Sequence, residues 1–474
     1  MGRRHKNPFR TGFRDRTLAH WRTKLVVHPP GQNAEPLRLV LEPTAPPNGK
    51  PPVRIFIGTE PRQLRAERVL IWSIARHRDP GRAYEIHLMK NIKGIERPRW
   101  ATGFSHYRYA IPTWAGGAGK AIYNDVDQIY LADPAELFDT DLGDKGVGAI
   151  NDSETSVMLI DCAKMAPHWN LDRVKAGDGH KEFRASAKAA GLWGHIPAAW
   201  NARDGEIPIS QTKLIHYTTL HTQPWKPFPE VLRYRESPTA GPWYEAEAEA
   251  NAAGFLVFTK AKPSVRYGEL LEQYRLMHGF EATEAAGSEK AEYFAGRTLK
   301  KSFAPIGALV RETGAHDILD YGAGKGKLHA PWPGAPEGSR YRSQPDWGGV
   351  KIICYDPGYP PFAEPFEGQA DGVISTDVVE HIPVDDVPWI VDEMFGHARK
   401  FVYVVAASYP AIKTLPNGEN AHCTIMPPIW WRQVFDIAAA KYPQVEWMMC
   451  CEQKGRFGTI RTLYRGKGGK SAPA

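Results

Sequence analysis

The chain has 474 residues, 42% of them hydrophobic and 24% charged, with a formal net charge of +7. That length exceeds what a single hydrophobic core serves and predicts two or three domains. The sequence holds no apolar run of the roughly eighteen residues that a membrane-spanning helix needs, and Met1-Gly-Arg-Arg-His-Lys lacks the apolar segment of a secretory signal. Five cysteines, at positions 162, 354, 423, 450 and 451, have no metal-knuckle spacing and predict a reduced, cytoplasmic protein.

Residues 1–52 read as a basic, proline-rich arm and loosely packed lead-in. Within 1–24, eight basic residues stand against one acid, Asp15, so this arm carries the whole formal excess of charge. It is either a solvated leader or a segment that meets an anionic partner. Val53-Arg-Ile-Phe-Ile57 then predicts a strand ending at Gly58 and Thr59. Residues 62–77 have helical spacing, with Leu64, Val69, Leu70 and Ile74 at the apolar positions, and 84–89 alternate as a strand. Ala121-Ile-Tyr is the next strand, running into Asp125. This alternation over 53–230 predicts an open α/β sheet with ligands at the C-terminal ends of its strands. Residues 231–290 read as a partly helical connector, with helices over 244–253 and 265–277. Over 291–465, strands are expected at 316–320, 350–355, 372–375, 401–405 and 447–452, with helices between them, making a second doubly wound sheet. Residues 466–474 read as a disordered tail.

The first candidate site is Asp125-Val-Asp127. Two carboxylates at i, i+2 on a strand end can bind Mn²⁺ or Mg²⁺ while the ion grips two phosphates. Asp139-Thr-Asp141 repeats the spacing, but it follows a helical Pro-Ala-Glu-Leu-Phe and is expected in a turn. Phe104-Ser-His-Tyr-Arg108 precedes the pair; Thr155-Ser-Val-Met-Leu-Ile-Asp161, Trp200-Asn201, Lys213-Leu-Ile-His216 and Pro224-Trp-Lys226 follow it. In this order residues 53–230 resemble the glycogenin-like retaining glycosyltransferases of GT-A fold. The resemblance implies Asp125, Asp127 and His216 as metal ligands, with His221 competing for the third place. It implies Lys226 at the donor diphosphate, Arg108 facing the donor, and Gly58 and Thr59 beside the nucleotide base. The donor it implies is a nucleotide sugar, by the family's habit a uridine-diphosphate sugar. The sequence departs from the family at Asn124, where leucine is usual, and in reading Pro-Trp-Lys instead of Lys-Pro-Trp. A domain that only binds a glycan is the alternative.

The second candidate site is Asp320-Tyr-Gly322-Ala-Gly324-Lys-Gly326. Alternate glycines after a strand let backbone pass close to a ligand and let a following helix start tightly. Lys351-Ile-Ile-Cys-Tyr355 ends in Asp356, placed to accept hydrogen bonds from a ribose diol, and residues 370–376 lead into Asp377-Val-Val-Glu-His-Ile382. In this order residues 291–465 resemble the class I S-adenosylmethionine-dependent methyltransferases, which have a Rossmann-like fold. The resemblance implies Asp320, Gly322, Gly324 and Gly326 at the cofactor loop, Asp356 on its ribose and Asp377 near its sulfonium. The inserted stretch 329–349 is expected to cover the site or contact the acceptor. Asp377, Glu380 and His381, at i, i+3 and i+4, predict one helix face, which His422 can join. Such a cluster could hold a divalent ion, as a similar one does in small-RNA 3′-end 2′-O-methyltransferases. Alternatively His381 or His422 acts as general base on a hydroxyl. Trp430-Trp431 is expected either to stack on the acceptor or to pack in the core.

Together these features predict an α/β chain with an N-terminal GT-A domain and a C-terminal Rossmann-like methyltransferase domain. The expected activity is bifunctional: metal-dependent glycosyl transfer and methyl transfer from S-adenosylmethionine, onto a glycan or glycoconjugate. One rival is a nucleic-acid-modifying methyltransferase with a degenerate front domain, aided by the basic arm. The other is a non-catalytic glycan-binding scaffold.

Overall fold

The computed structural model describes residues 31–95, 103–278, 296–467 and 470–473. The basic arm lies outside them. The chain forms two compact units, Met1–Phe255 and Leu256–Ala474. Among the described residues no helix is long and apolar enough to cross a membrane.

The first unit begins with strand β1 (Leu37–Leu41), followed by β2 (Val53–Gly58), helix α1 (Leu64–His77) and β3 (Tyr84–Met89). Next come β4 (Lys120–Asp125), β5 (Gln128–Tyr130), β6 (Val147–Ala149), β7 (Val157–Asp161), β8 (Trp193–His195), β9 (Ala202–Arg203), β10 (Leu214–His216) and helix α2 (Gly241–Ala252). Seven strands make the main sheet in the order β1-β3-β2-β4-β7-β6-β8; β5, β10 and β9 make a small second sheet. Parallel pairing of β3, β2 and β4 brings Gly58 and Asp125 side by side at the C-terminal edge. The lead-in is not loose: residues 37–41 pair antiparallel with β3, from Leu37 opposite Leu88 to Leu41 opposite Tyr84. The prolines of 28–52 flank this Leu-Arg-Leu-Val-Leu run without interrupting it, so the run is free to form an edge strand.

Helix α2 belongs to the first unit rather than to a separate connector. Trp243, Ala246 and Ala250 form its buried face. On α1, Arg65 grips Glu247 with two hydrogen bonds of 2.8 Å, and Arg68 bonds Asn251 and the carbonyl of Phe255, each at 2.7 Å.

The second unit opens with helix α3 (Val265–His278) and α4 (Phe303–Thr313), then β11 (Asp317–Tyr321), β12 (Ala330–Pro331), β13 (Tyr341–Gln344), β14 (Val350–Tyr355) and β15 (Ala370–Thr376). Helix α5 (Val387–His397), β16 (Ala398–Ala407), α6 (Pro428–Ala439), β17 (Glu446–Gly455), β18 (Gly458–Lys467) and β19 (Lys470–Pro473) complete it. The nine strands run in the order β12-β13-β14-β11-β15-β16-β17-β18-β19. Five neighbouring strands, β14, β11, β15, β16 and β17, are parallel. Ile306, Leu309, Ile318, Ile352, Ile374 and Phe401 build the core between α4 and the sheet.

Two sequence expectations change here. No α-helix joins β11 to β14; the insertion folds as the β12–β13 hairpin on the sheet edge, followed by a single 3₁₀ turn at Pro345–Trp347. Residues 470–473, read as disordered tail, pair with 464–467.

Candidate active sites

In the first unit, strand β4 ends at Asp125, and Val126, buried between the two acids, anchors the turn. Backbone bonds pin the turn: Asp125 donates to the Ser156 carbonyl at 3.0 Å, and Tyr217 donates to the Asp127 carbonyl at 2.9 Å. His216, the last residue of β10, thereby meets the pair. Asp125, Asp127 and His216 each offer a ligand atom, and these atoms lie within 4.8 Å of one another. His216 Nε2 is 3.1 Å from Asp127 Oδ1, while its Nδ1 is 2.8 Å from Asn201 Oδ1. The side-chain amide of Asn201 donates to Ser156 Oγ at 3.0 Å, and that hydroxyl donates to Glu154 at 2.6 Å, so the ring is held from behind. Burial pushes the His216 imidazole down, but Asp127, and then Asp125, push it further up, to about 9. Burial raises Asp125 to about 6, against the lowering pull of Arg108.

Other expected residues take different places. Arg108 is buried and bonds Asp125 Oδ1 at 2.8 Å, with its guanidinium over the Tyr123 ring, 4.4 Å from its centroid. It faces the acid rather than an open donor surface. The Tyr123 hydroxyl also donates to Asp125. Thr59 is buried, and its hydroxyl donates to Glu67 at 2.9 Å, beside the buried Glu67–Lys90 ion pair. Gly58 lies under Tyr123: a Cβ there would stand 2.5 Å from the Tyr123 hydroxyl. Lys226 is exposed, at φ +51°. Three residues before it, Gln223 donates to Asp127 Oδ2 at 3.3 Å, a contact with no sequence signal beyond its place ahead of Pro224-Trp225. His221 is buried outside the cluster. Asp139 pairs with Arg82 at 2.9 Å and Lys50 at 3.1 Å, and Asp141 accepts from the Gly143 amide, so the second Asp-x-Asp serves structure.

In the second unit, β11 lies between β14 and β15, so the chain direction across the sheet reverses at β11. Open α/β sheets form their ligand crevice at such a point. A cavity of about 660 Å³ opens there, and its lining includes Gly322, Gly324, Asp356, Asp377, His381 and His422. Gly322, at φ +82°, passes so close to Val378 that a Cβ would stand 2.4 Å from its side chain. The Gly324 amide donates to Asp356 Oδ2 at 2.8 Å and Gly358 to Oδ1 at 2.9 Å. Burial raises the Asp356 carboxyl to about 6, despite these two amides.

Asp320 and Gly326 are not in the lining. Asp320 turns into the unit and meets His329 Nε2 at 2.9 Å; Gly326 sits under Cys354 and Phe362. No residue of 329–349 lines the cavity, because the hairpin lies on the far side of β14. The expected helix face at 377–381 is instead a 3₁₀ turn, Val379–His381, entered by Asp377 at φ +63°. That geometry separates Glu380 from the others. It is buried, accepts the Ala407 amide at 2.8 Å, and its carboxyl is pushed well above the usual range by burial and then by Asp377. Asp377, His381 and His422 do come together, offering ligand atoms within 4.8 Å of one another. The two imidazoles stand edge to face at 4.7 Å. Burial, then His422, holds His381 down at about 4, so it is neutral at pH 7. Trp430 and Trp431 are buried in α6, as core.

No protein-family model matches the chain, and no curated protein does. Solved structures that are similar include the bifunctional glycosyltransferase WbbM, at 15% identity and a TM-score of 0.29, over 43% of this chain and 53% of that one. The glycosyltransferase GlyE of Streptococcus pneumoniae TIGR4 is 14% identical, with a TM-score of 0.32, over 48% of this chain and 73% of that one. The galactosyltransferase LgtC is 14% identical, with a TM-score of 0.29, over 42% of this chain and 96% of that one. The chain thus spans about half the length of WbbM.

Proposed function

We propose that the chain is a bifunctional transferase, its first unit a metal-dependent glycosyltransferase and its second an S-adenosylmethionine-dependent methyltransferase. The observation that carries the first assignment is the convergence of Asp125, Asp127 and His216 at strand ends. Two carboxylates and an imidazole suit Mn²⁺ or Mg²⁺, and His216 Nε2 and Asp127 Oδ1 already face each other at 3.1 Å, where a cation would take the place of the imidazole's proton. A bound ion supplies positive charge to the departing diphosphate of a nucleotide sugar. Arg108 and Asn201 hold Asp125 and His216 in place for it, and exposed Lys226 is the phosphate contact.

In the second unit the cavity and its backbone cradle support a methyl donor. Gly322 and Gly324 permit close approach of the methionine end, and Asp356 accepts from ribose hydroxyls. An acceptor hydroxyl gives its proton to His381 or His422 as its oxygen takes the methyl carbon. S-adenosylmethionine, when bound, would supply the methyl group and take up the C–S electron pair as a neutral thioether in that same displacement, which the residues of the cavity would drive mainly by positioning. A glycan or glycoconjugate is the acceptor that both chemistries share.

The test is incubation of the full chain with Mn²⁺, a panel of nucleotide sugars and labelled S-adenosylmethionine. Turnover of one sugar donor should be lost in Asp125→Ala, by about 100-fold or more, and kept in Gly324→Asp, which should lose methyl transfer instead. Joint loss in either variant, or no turnover of any donor, contradicts the reading.

A further inference from the structure

Helix α3 lies outside the span that the sequence marks as a methyltransferase, yet it lines the second cavity through Leu270, Tyr274 and Met277. Tyr274 joins three segments. Its hydroxyl is 2.7 Å from the carbonyl oxygen of Ala421 and 2.8 Å from His381 Nδ1. His381 Nδ1 is itself 2.9 Å from that same carbonyl. A carbonyl oxygen only accepts, so this contact favours the proton on Nδ1 without fixing it, because the carbonyl has a second donor in the Tyr274 hydroxyl. The Tyr274 hydroxyl donates to the carbonyl too, which leaves its own lone pair turned to Nδ1–H. With Nδ1 protonated and twice anchored, Nε2 is the basic nitrogen of His381. The neighbouring His422 has the same arrangement, its Nδ1 2.6 Å from the Tyr409 carbonyl.

We propose that Tyr274 is a positioning residue of the methyl-transfer site: it holds His381 in the Nδ1–H tautomer, with Nε2 presented to the acceptor's proton. This rests on the methyl-transfer reading of the second unit. It makes α3 a part of that site and not a spacer.

The experiment uses the full chain labelled with ¹⁵N-histidine, with His381 assigned from the signal lost in His381→Gln. Two-bond ¹H–¹⁵N spectra report the tautomer of His381 without any ligand. The wild type should show Nδ1–H alone, and Tyr274→Phe a mixture of both tautomers. In the same variant, kcat for methyl transfer should fall about 10-fold while KM for S-adenosylmethionine stays within about 2-fold. An Nε2–H tautomer in the wild type overturns the proposal whatever the variant does. So does a folded Tyr274→Phe with unchanged tautomer and kcat. The expected tautomers with no methyl transfer in the wild type would leave Tyr274 as the holder of His381 and remove the methyl-transfer reading alone.

Discussion

Asn124 sits fully buried one residue before the acidic pair, where an apolar side chain would be the simpler choice. Its amide donates to Gln128 at 2.7 Å, its oxygen accepts from the Tyr130 hydroxyl at 2.7 Å, and Gln128 donates on to the Ser156 carbonyl at 3.0 Å. These bonds tie β4, β5 and the loop before β7 around the Asp125–Asp127 turn. Asn124→Leu would strand a buried hydroxyl and a buried amide oxygen, each costing about 1–3 kcal/mol. We expect a loss of about 2–4 kcal/mol in urea unfolding, with Mn²⁺ affinity weakened as the turn relaxes; unchanged stability would refute this account. At this scale the sequence was legible where chemistry is local. Asp125 and His216 end strands and Asp127 stands just ahead of the next one, and apolar runs mark strands. It was illegible where a partner comes from elsewhere in the chain. Asp320 looks like a loop acid, but His329, in the insertion, turns it inward. Thr59 looks available, but Glu67 on α1 captures it.

Among the elements, the glycine loop leads into turns and a hairpin, so a ligand there meets backbone amides without a helix N-terminus behind them. The sequence could not separate these outcomes, since a glycine-rich loop fits either. On helix α5, Glu393 and His397 stand at i, i+4 and 3.7 Å apart. In the structure Glu393 also accepts the Tyr321 hydroxyl at 2.6 Å and Lys260 at 2.6 Å, tying α5 to the end of β11 beside the glycine loop. Burial alone would raise the Glu393 carboxyl, but His397, Lys260 and Tyr321 outweigh it and bring it to about 2. Because the folded value lies below the unfolded one, this stabilisation is full above about pH 4.5 and is lost as pH falls towards 2. Glu393→Gln should cost about 1–3 kcal/mol at pH 7, and the gap to the wild type should close at about pH 2–3. A gap that persists unchanged at low pH would show that the loss comes from packing instead.

Over the whole chain, the two large sheets mark two units, but their limits depend on side chains that composition does not reveal. The sequence closes the first domain near Pro224-Trp-Lys-Pro, at 230. The structure continues it to Phe255, because the Ala/Glu-rich stretch that reads as connector carries one buried face. Trp243 on α2 packs 5.7 Å from Trp225 and lies under the Arg65 guanidinium, 5.1 Å away. Trp225 in turn donates to Gln63 at 2.6 Å. Ending the chain at 230 would expose Trp225 and leave Arg65 and the largely buried Arg68 without Glu247, Asn251 and the Phe255 carbonyl. An uncompensated buried cation costs about 3–5 kcal/mol, a large part of the 5–15 kcal/mol that holds a domain together. A fragment of residues 31–255 should therefore unfold in one cooperative step and bind Mn²⁺ with the affinity of the full chain. A fragment of 31–230 should lose that transition in calorimetry or require several kcal/mol less to unfold in urea. Equal stability of the two fragments would make α2 a passenger, and the contacts from Arg65 and Arg68 would then be worth little to the fold that positions Asp125 and Asp127.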